Sequence, residues 1–102
     1  MLSLSVVIRP QKADLLCQRL LASGLVDDLT AAECRGYGRQ KGQLEHYQGT
    51  EYHIDFLPKV LISGVIEDDA ADRVIELICA TARSGRIGDG KIFLVAIERT
   101  AE

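Results

Sequence analysis

The chain has 102 residues, 47% of them apolar and only 5% aromatic, with no tryptophan. That length holds one small domain (1–102) with an aliphatic core, and it leaves enough surface unburied for self-association to be expected. Lys and Arg number twelve and Asp and Glu fifteen, a net charge of −3 without a basic arm, so no nucleic-acid partner is expected. The apolar runs are strand-sized, far short of a membrane span. The first eight residues carry neither the charged start nor the small-residue cleavage site of an export signal, so the expected location is cytoplasmic.

Residues 2–8, LSLSVVI, alternate and then run apolar, the pattern of a strand half covered and then buried. Arg9 and Pro10 break it, since proline donates no hydrogen bond to a ladder. Over 11–23, Ala13, Leu16, Cys17 and Leu20 recur at helical spacing, and Gly24 supplies the left-handed stop. Past Asp27 and Asp28, residues 29–35 read as a second strand. Segment 36–57 has no sustained apolar period and contains Gly36, Gly38, Gly42 and Gly49. An insert of that length in a small domain signals function or disorder. Pro58 closes it, and VLISGVI at 60–66 forms a third strand. Asp68 and Asp69 offer an N-cap and place acid at the positive end of a helix dipole. Val74, Leu77, Ile78 and Thr81 give that helix its buried face, Ser84 and Gly85 end it, and IFLVAI at 92–97 is the fourth strand.

The order is strand, helix, strand, twice over, and the helical pattern ending at Gly24 returns in the second half ending at Gly85. A doubled split βαβ unit is the ferredoxin-like α+β sandwich, an antiparallel four-stranded sheet with two helices on one face. Residues 60–66 are apolar on both sides, so other copies of the chain are the simplest cover for the second face.

Three segments bear on chemistry. Cys17, Cys34 and Cys79 are odd in number, far apart and set in apolar runs, which predicts buried reduced thiols. His46 and His53 lie in a polar stretch without a nearby cysteine, a thin basis for a metal site. GRIGDGK at 85–91 satisfies the glycine and lysine spacing of a Walker A loop. Ile92 stands where a magnesium-binding Ser or Thr belongs, however, and the loop runs from helix to strand, so a P-loop nucleotidase is rejected. Its glycines still let backbone N–H groups approach an anion, with Lys91 adding a point charge; a plain turn with a solvated lysine is the alternative. GYGRQKG at 36–42 repeats the style with Arg39 and Lys41, and the topology puts both loops at one end of neighbouring strands. Tyr47 and Tyr52 sit in the polar insert, where an exposed tyrosine marks a contact or a modification site.

In the combination of GYGRQKG at 36–42, DFLPK at 55–59 and SGRIGDGKIF at 84–93, the sequence resembles the PII signal-transduction family, over nearly the whole chain. The resemblance implies a homotrimer of ferredoxin-like subunits that is a sensor and not an enzyme. ATP and ADP would compete in inter-subunit clefts, and 2-oxoglutarate would join with Mg-ATP. Family roles for nucleotide fall on Thr30, Gly38, Arg39, Val65, Gly88, Asp89, Gly90 and Lys91. Those for 2-oxoglutarate or another anion fall on Gln40, Lys59 and Gly88, with Gln40 also toward Mg. Segment 37–57 would be the T-loop that docks onto a target enzyme, transporter or regulator, and 84–91 the B-loop. Membrane contact would be peripheral, through a transporter alone.

Departures from the family pattern shape further expectations. The chain ends at Glu102, before a C-terminal loop whose two arginines meet ATP phosphates in typical members, so ATP is expected to lose its advantage over ADP and AMP. Ser63 replaces a glutamate close to the nucleotide, and Gln48 an arginine that enters ammonium channels. Tyr52 matches a tyrosine that many bacterial members have uridylylated, with different flanks at Gln48 and Thr50. An alternative within the fold is a carbon-status sensor binding ADP or AMP with a small anion such as bicarbonate near Lys59. A slow nucleotide hydrolase lacks a dedicated general base here. A trimeric metal-tolerance protein would need His46 or His53.

Overall fold

Strand β1 (Leu2–Ile8), helix α1 (Pro10–Ser23), strands β2 (Thr30–Gly36) and β3 (Leu57–Ile66), a 3-10 turn (Asp68–Ala70), helix α2 (Ala71–Ala82) and strand β4 (Gly90–Ala96) follow one another along the chain. The computed structural model describes residues 1–37, 56–83, 90–98 and 100–101. The sheet order is β2-β3-β1-β4 with every pairing antiparallel, the ferredoxin-like arrangement expected from the doubled pattern. Leu4, Val6 and Ile8 of β1 and Val60, Ile62 and Ile66 of β3 share one face. On them pack Ala13, Leu16 and Leu20 of α1 and Val74 and Ile78 of α2, giving one aliphatic core. Thr81 is buried with them, and its hydroxyl oxygen accepts a hydrogen bond from Arg19 Nη1 at 3.2 Å, which joins the two helices.

Local chemistry explains the boundaries. Pro10 ends β1 and also opens α1, because a residue at the first helical position needs no N–H partner. Gly24 takes φ 76° and donates its N–H to the Leu21 carbonyl, the left-handed stop read from the sequence. The aspartate cap is corrected. Asp68 and Asp69 form the 3-10 turn, no side-chain cap bond forms, and Asp68 Oδ1 pairs with the Met1 amine at 2.8 Å. That extra turn moves the start of α2 to Ala71, where Asp72 supplies the acid of the first turn.

Strands β3 and β4 both start earlier than their apolar runs. Pro58 lies inside β3 opposite Arg35, while the β1 ladder stops at Ile8↔Val60. At Pro58 the strand therefore has a neighbour on one side only, and a missing donor is tolerated as at a sheet edge. Gly90 and Lys91 are the first residues of β4, paired with Ile8 and Val7. Within β3, Gly64 faces the connection that follows α1. A Cβ there would meet Leu29 Cδ2 at 2.9 Å and the Asp28 carbonyl at 3.2 Å.

The second face of the sheet carries Ser3, Ser5 and Val7 of β1, registered with Leu61, Ser63 and Val65 of β3 and with Lys91, Phe93 and Val95 of β4. Val65, Phe93 and Val95 are exposed on it. Among the described residues no helix is long and apolar enough to cross a membrane.

Candidate functional site

At the end of the sheet where β1 finishes, β3 and β4 each bring a lysine to the uncovered face. Lys91 pairs with Val7, and Lys59, one residue beyond the Ile8–Val60 pair, stands opposite Cys34 of β2. The two lysines, with Val7, Gly36, Tyr37, Gly90 and Phe93, line an open cavity of about 310 Å³. No carboxylate is among those described lining residues. Two lysines and two aromatic walls are a lining suited to an anion.

Each glycine of the pocket has a steric reason. A Cβ on Gly36 would lie 3.1 Å from Lys59 Cγ, so its absence lets the lysine stem pack along β2. Lys59 is accordingly only 8% exposed, with its aliphatic stem covered. A Cβ on Gly90 would lie 2.6 Å from the Val7 carbonyl oxygen, so close approach of β4 to β1 requires glycine there. The plain structural reading of this glycine thus holds alongside any anion-binding one.

Of the predicted nucleotide residues, Gly90 and Lys91 come together here with the predicted anion residue Lys59. Thr30 and Val65 do not. Thr30 pairs with Ser63 and Val65 with Ser3, both exposed, at the opposite end of the sheet. Six residues of extended strand separate Lys59 from Val65, a span of about 20 Å. Gly38, Arg39, Gln40, Tyr52, Gly88 and Asp89 lie outside the described residues, as do His46, His53 and Tyr47. Among the described residues no group of three His, Cys, Asp or Glu side chains could hold a metal.

The sequence reading missed the aromatic frame. Tyr37 meets Phe56 edge-on, with ring centroids 6.0 Å apart and planes at 78°, and the Arg35 guanidinium sits 4.5 Å from the Phe56 centroid. These side chains join the end of β2 to the start of β3. Phe93 was hidden in the apolar run IFLVAI; strand alternation from Ile92, whose side chain packs on the core, would have pointed it outward. The thiols are also corrected. Cys17, Cys34 and Cys79 are free but half-buried; Cys17 packs at the margin of the core, while Cys34 pairs with Lys59 on the uncovered side of the sheet. Burial, followed by the nearby Asp14 carboxylate, raises the Cys17 thiol above its ordinary value.

Comparison with known proteins agrees with this fold. The family model described as "Nitrogen regulatory protein P-II" matches residues 1–102. The nitrogen regulatory protein P-II of Rhodospirillum rubrum is 50% identical over 98 residues, covering 96% of this chain and 87% of that protein. Those of Microchaete diplosiphon and Haemophilus influenzae are each 46% identical over 99 residues, covering 97% of this chain and 88% of theirs. The antiparallel ferredoxin-like sheet, the doubled βαβ pattern and this match along the full chain together place the protein in the nitrogen regulatory protein P-II family, whose members are signal-transduction regulators and not enzymes.

Proposed function

We propose that this chain senses adenine nucleotides and 2-oxoglutarate in clefts between the subunits of a homotrimer and regulates target proteins through segment 37–57. The observation that carries this reading is the division of the expected nucleotide and anion residues between two ends of one sheet. Lys59, Gly90 and Lys91 share a cavity, while Thr30 and Val65 lie at the far end. A single ligand cannot touch both groups of one copy, so a second copy must supply the other half. The exposed Val65, Phe93 and Val95 give those copies an apolar surface to bury.

In this reading Lys91 and the backbone at 88–90 take the polyphosphate, and Lys59, held rigid against Gly36, takes a carboxylate. Gln40 would serve the Mg ion that accompanies ATP. Gly36 and Tyr37 line the cavity and lead directly into the insert, so a ligand bound there favours those conformations of the insert that fit it. The output is a change of partner and no bond is made or broken.

Isothermal titration with ATP, ADP and AMP, each repeated with Mg²⁺ plus 2-oxoglutarate and with bicarbonate, tests the proposal. Binding of 2-oxoglutarate only alongside Mg-ATP supports it. Binding of ADP or AMP with bicarbonate and never with 2-oxoglutarate transfers the site to the carbon-status reading.

A further inference from the structure

Two lysines suffice to attract an anion, yet aromatic rings flank them. Tyr37 follows the last residue of β2 and is 56% exposed, a position in which a ring rotates unless neighbours hold it. Phe56, immediately before β3, holds it by the edge-on contact, and the Arg35 guanidinium over Phe56 holds that ring in turn. The stack fixes Tyr37 as a wall of the cavity facing Lys59 and Lys91, with Phe93 also in the lining. A bare inorganic anion gains nothing from such walls. A planar group attached to the anion gains stacking on a ring face, worth roughly tenfold in affinity or more.

We propose that Tyr37 is the specificity-determining wall of this pocket, selecting an anion that carries a planar or apolar group over an inorganic one, and that Phe56 and Arg35 are its positioning residues. The inference rests on the nucleotide reading above. It adds that recognition of the uncharged part of the ligand depends on a contact made between the two ends of the insert.

Calorimetric titration of the intact chain with ADP and, separately, with pyrophosphate tests it, since the two share a charged end and only ADP carries rings. Tyr37→Ala weakens ADP by about tenfold and leaves the response to pyrophosphate within about twofold of wild type, while Tyr37→Phe restores ADP binding. Phe56→Leu reproduces the loss although Tyr37 is still present, and Phe56→Tyr does not. Phe56 is 39% exposed and Tyr37 more so, so neither truncation opens the core, and Arg35→Gln offers an independent route to the same loosening. Unchanged ADP affinity in Tyr37→Ala, or equal loss of ADP and pyrophosphate, overturns the inference and leaves the nucleotide site standing. If the wild-type chain binds no ADP, the nucleotide reading itself falls, and this inference falls with it.

Discussion

Lys59 and Lys91 differ in kind although they share a cavity. Lys59 is almost wholly covered and its stem packs against Gly36, whereas the Lys91 side chain is exposed at the start of β4. Charge-assisted hydrogen bonds contribute about 1.5–3 kcal/mol each, so Lys91→Gln should weaken ADP by about tenfold or more in a calorimetric titration. Lys59→Met keeps the apolar stem and removes the charge. It should leave the fold intact by circular dichroism and abolish uptake of 2-oxoglutarate in the presence of Mg-ATP. Cys17 gives a pH-dependent readout. Its ionisation is pushed up by burial first and by Asp14 second, from an ordinary value of 9.0. The folded chain therefore holds this proton where the unfolded chain releases it, so stability should decline as pH rises through and above 9.0. Urea denaturation between pH 8 and 10.5 should show that decline, and Cys17→Ala should make it shallower; an equal slope in both would remove Cys17 as its source.

Among the elements, β3 carries the heaviest constraints. It lies between β2 and β1, contributes Val60, Ile62 and Ile66 to the core, and turns Lys59, Leu61, Ser63 and Val65 to the other face. Gly64 falls where the α1–β2 connection crosses the strand. Gly64→Val should destabilise by about 1–3 kcal/mol through overpacking against Leu29 and the Asp28 carbonyl, read as a lower urea midpoint with an unchanged slope. The elements were legible in the sequence wherever one face was apolar, as with Ala13, Leu16 and Leu20 or Val74 and Ile78. Their ends were less so, for particular reasons. Pro58 reads as a terminator until β1 is seen to stop at Val60, and Asp68 reads as a cap until a 3-10 turn intervenes. Gly90 and Lys91 read as loop, because their place in β4 is set by pairing with Ile8 and Val7 and by no property of their own.

For the whole molecule, the proposed assembly turns on the uncovered sheet face. Val65 is 40% exposed, Phe93 51% and Val95 60%, all on one side of the sheet. Val95→Glu places a charge on that face, at the edge strand β4, without touching the lysine cavity. Sedimentation equilibrium should give a trimer for the wild-type chain and a monomer for Val95→Glu. If the proposed inter-subunit site is correct, ADP binding should fall with assembly, because in that reading Thr30 and Val65 reach the ligand from a neighbouring copy. A monomeric variant that binds ADP at wild-type strength would show that the cavity at Lys59 and Lys91 is complete in one chain.

The sequence by itself determined the family, the doubled βαβ order, the helix faces and the glycine-rich segments, because these depend on local periodicity and on short motifs at fixed spacing. Only the tertiary structure decided which of those residues meet. Antiparallel pairing carried Lys59 and Lys91, thirty-two positions apart, into one cavity, and the same register sent Thr30 and Val65 to the opposite end. It also joined Tyr37 to Phe56 across an insert that nothing local spans. Strand register couples every residue of one strand to those of its neighbours, so a site built across four strands is a property of the sheet and of no single stretch of sequence.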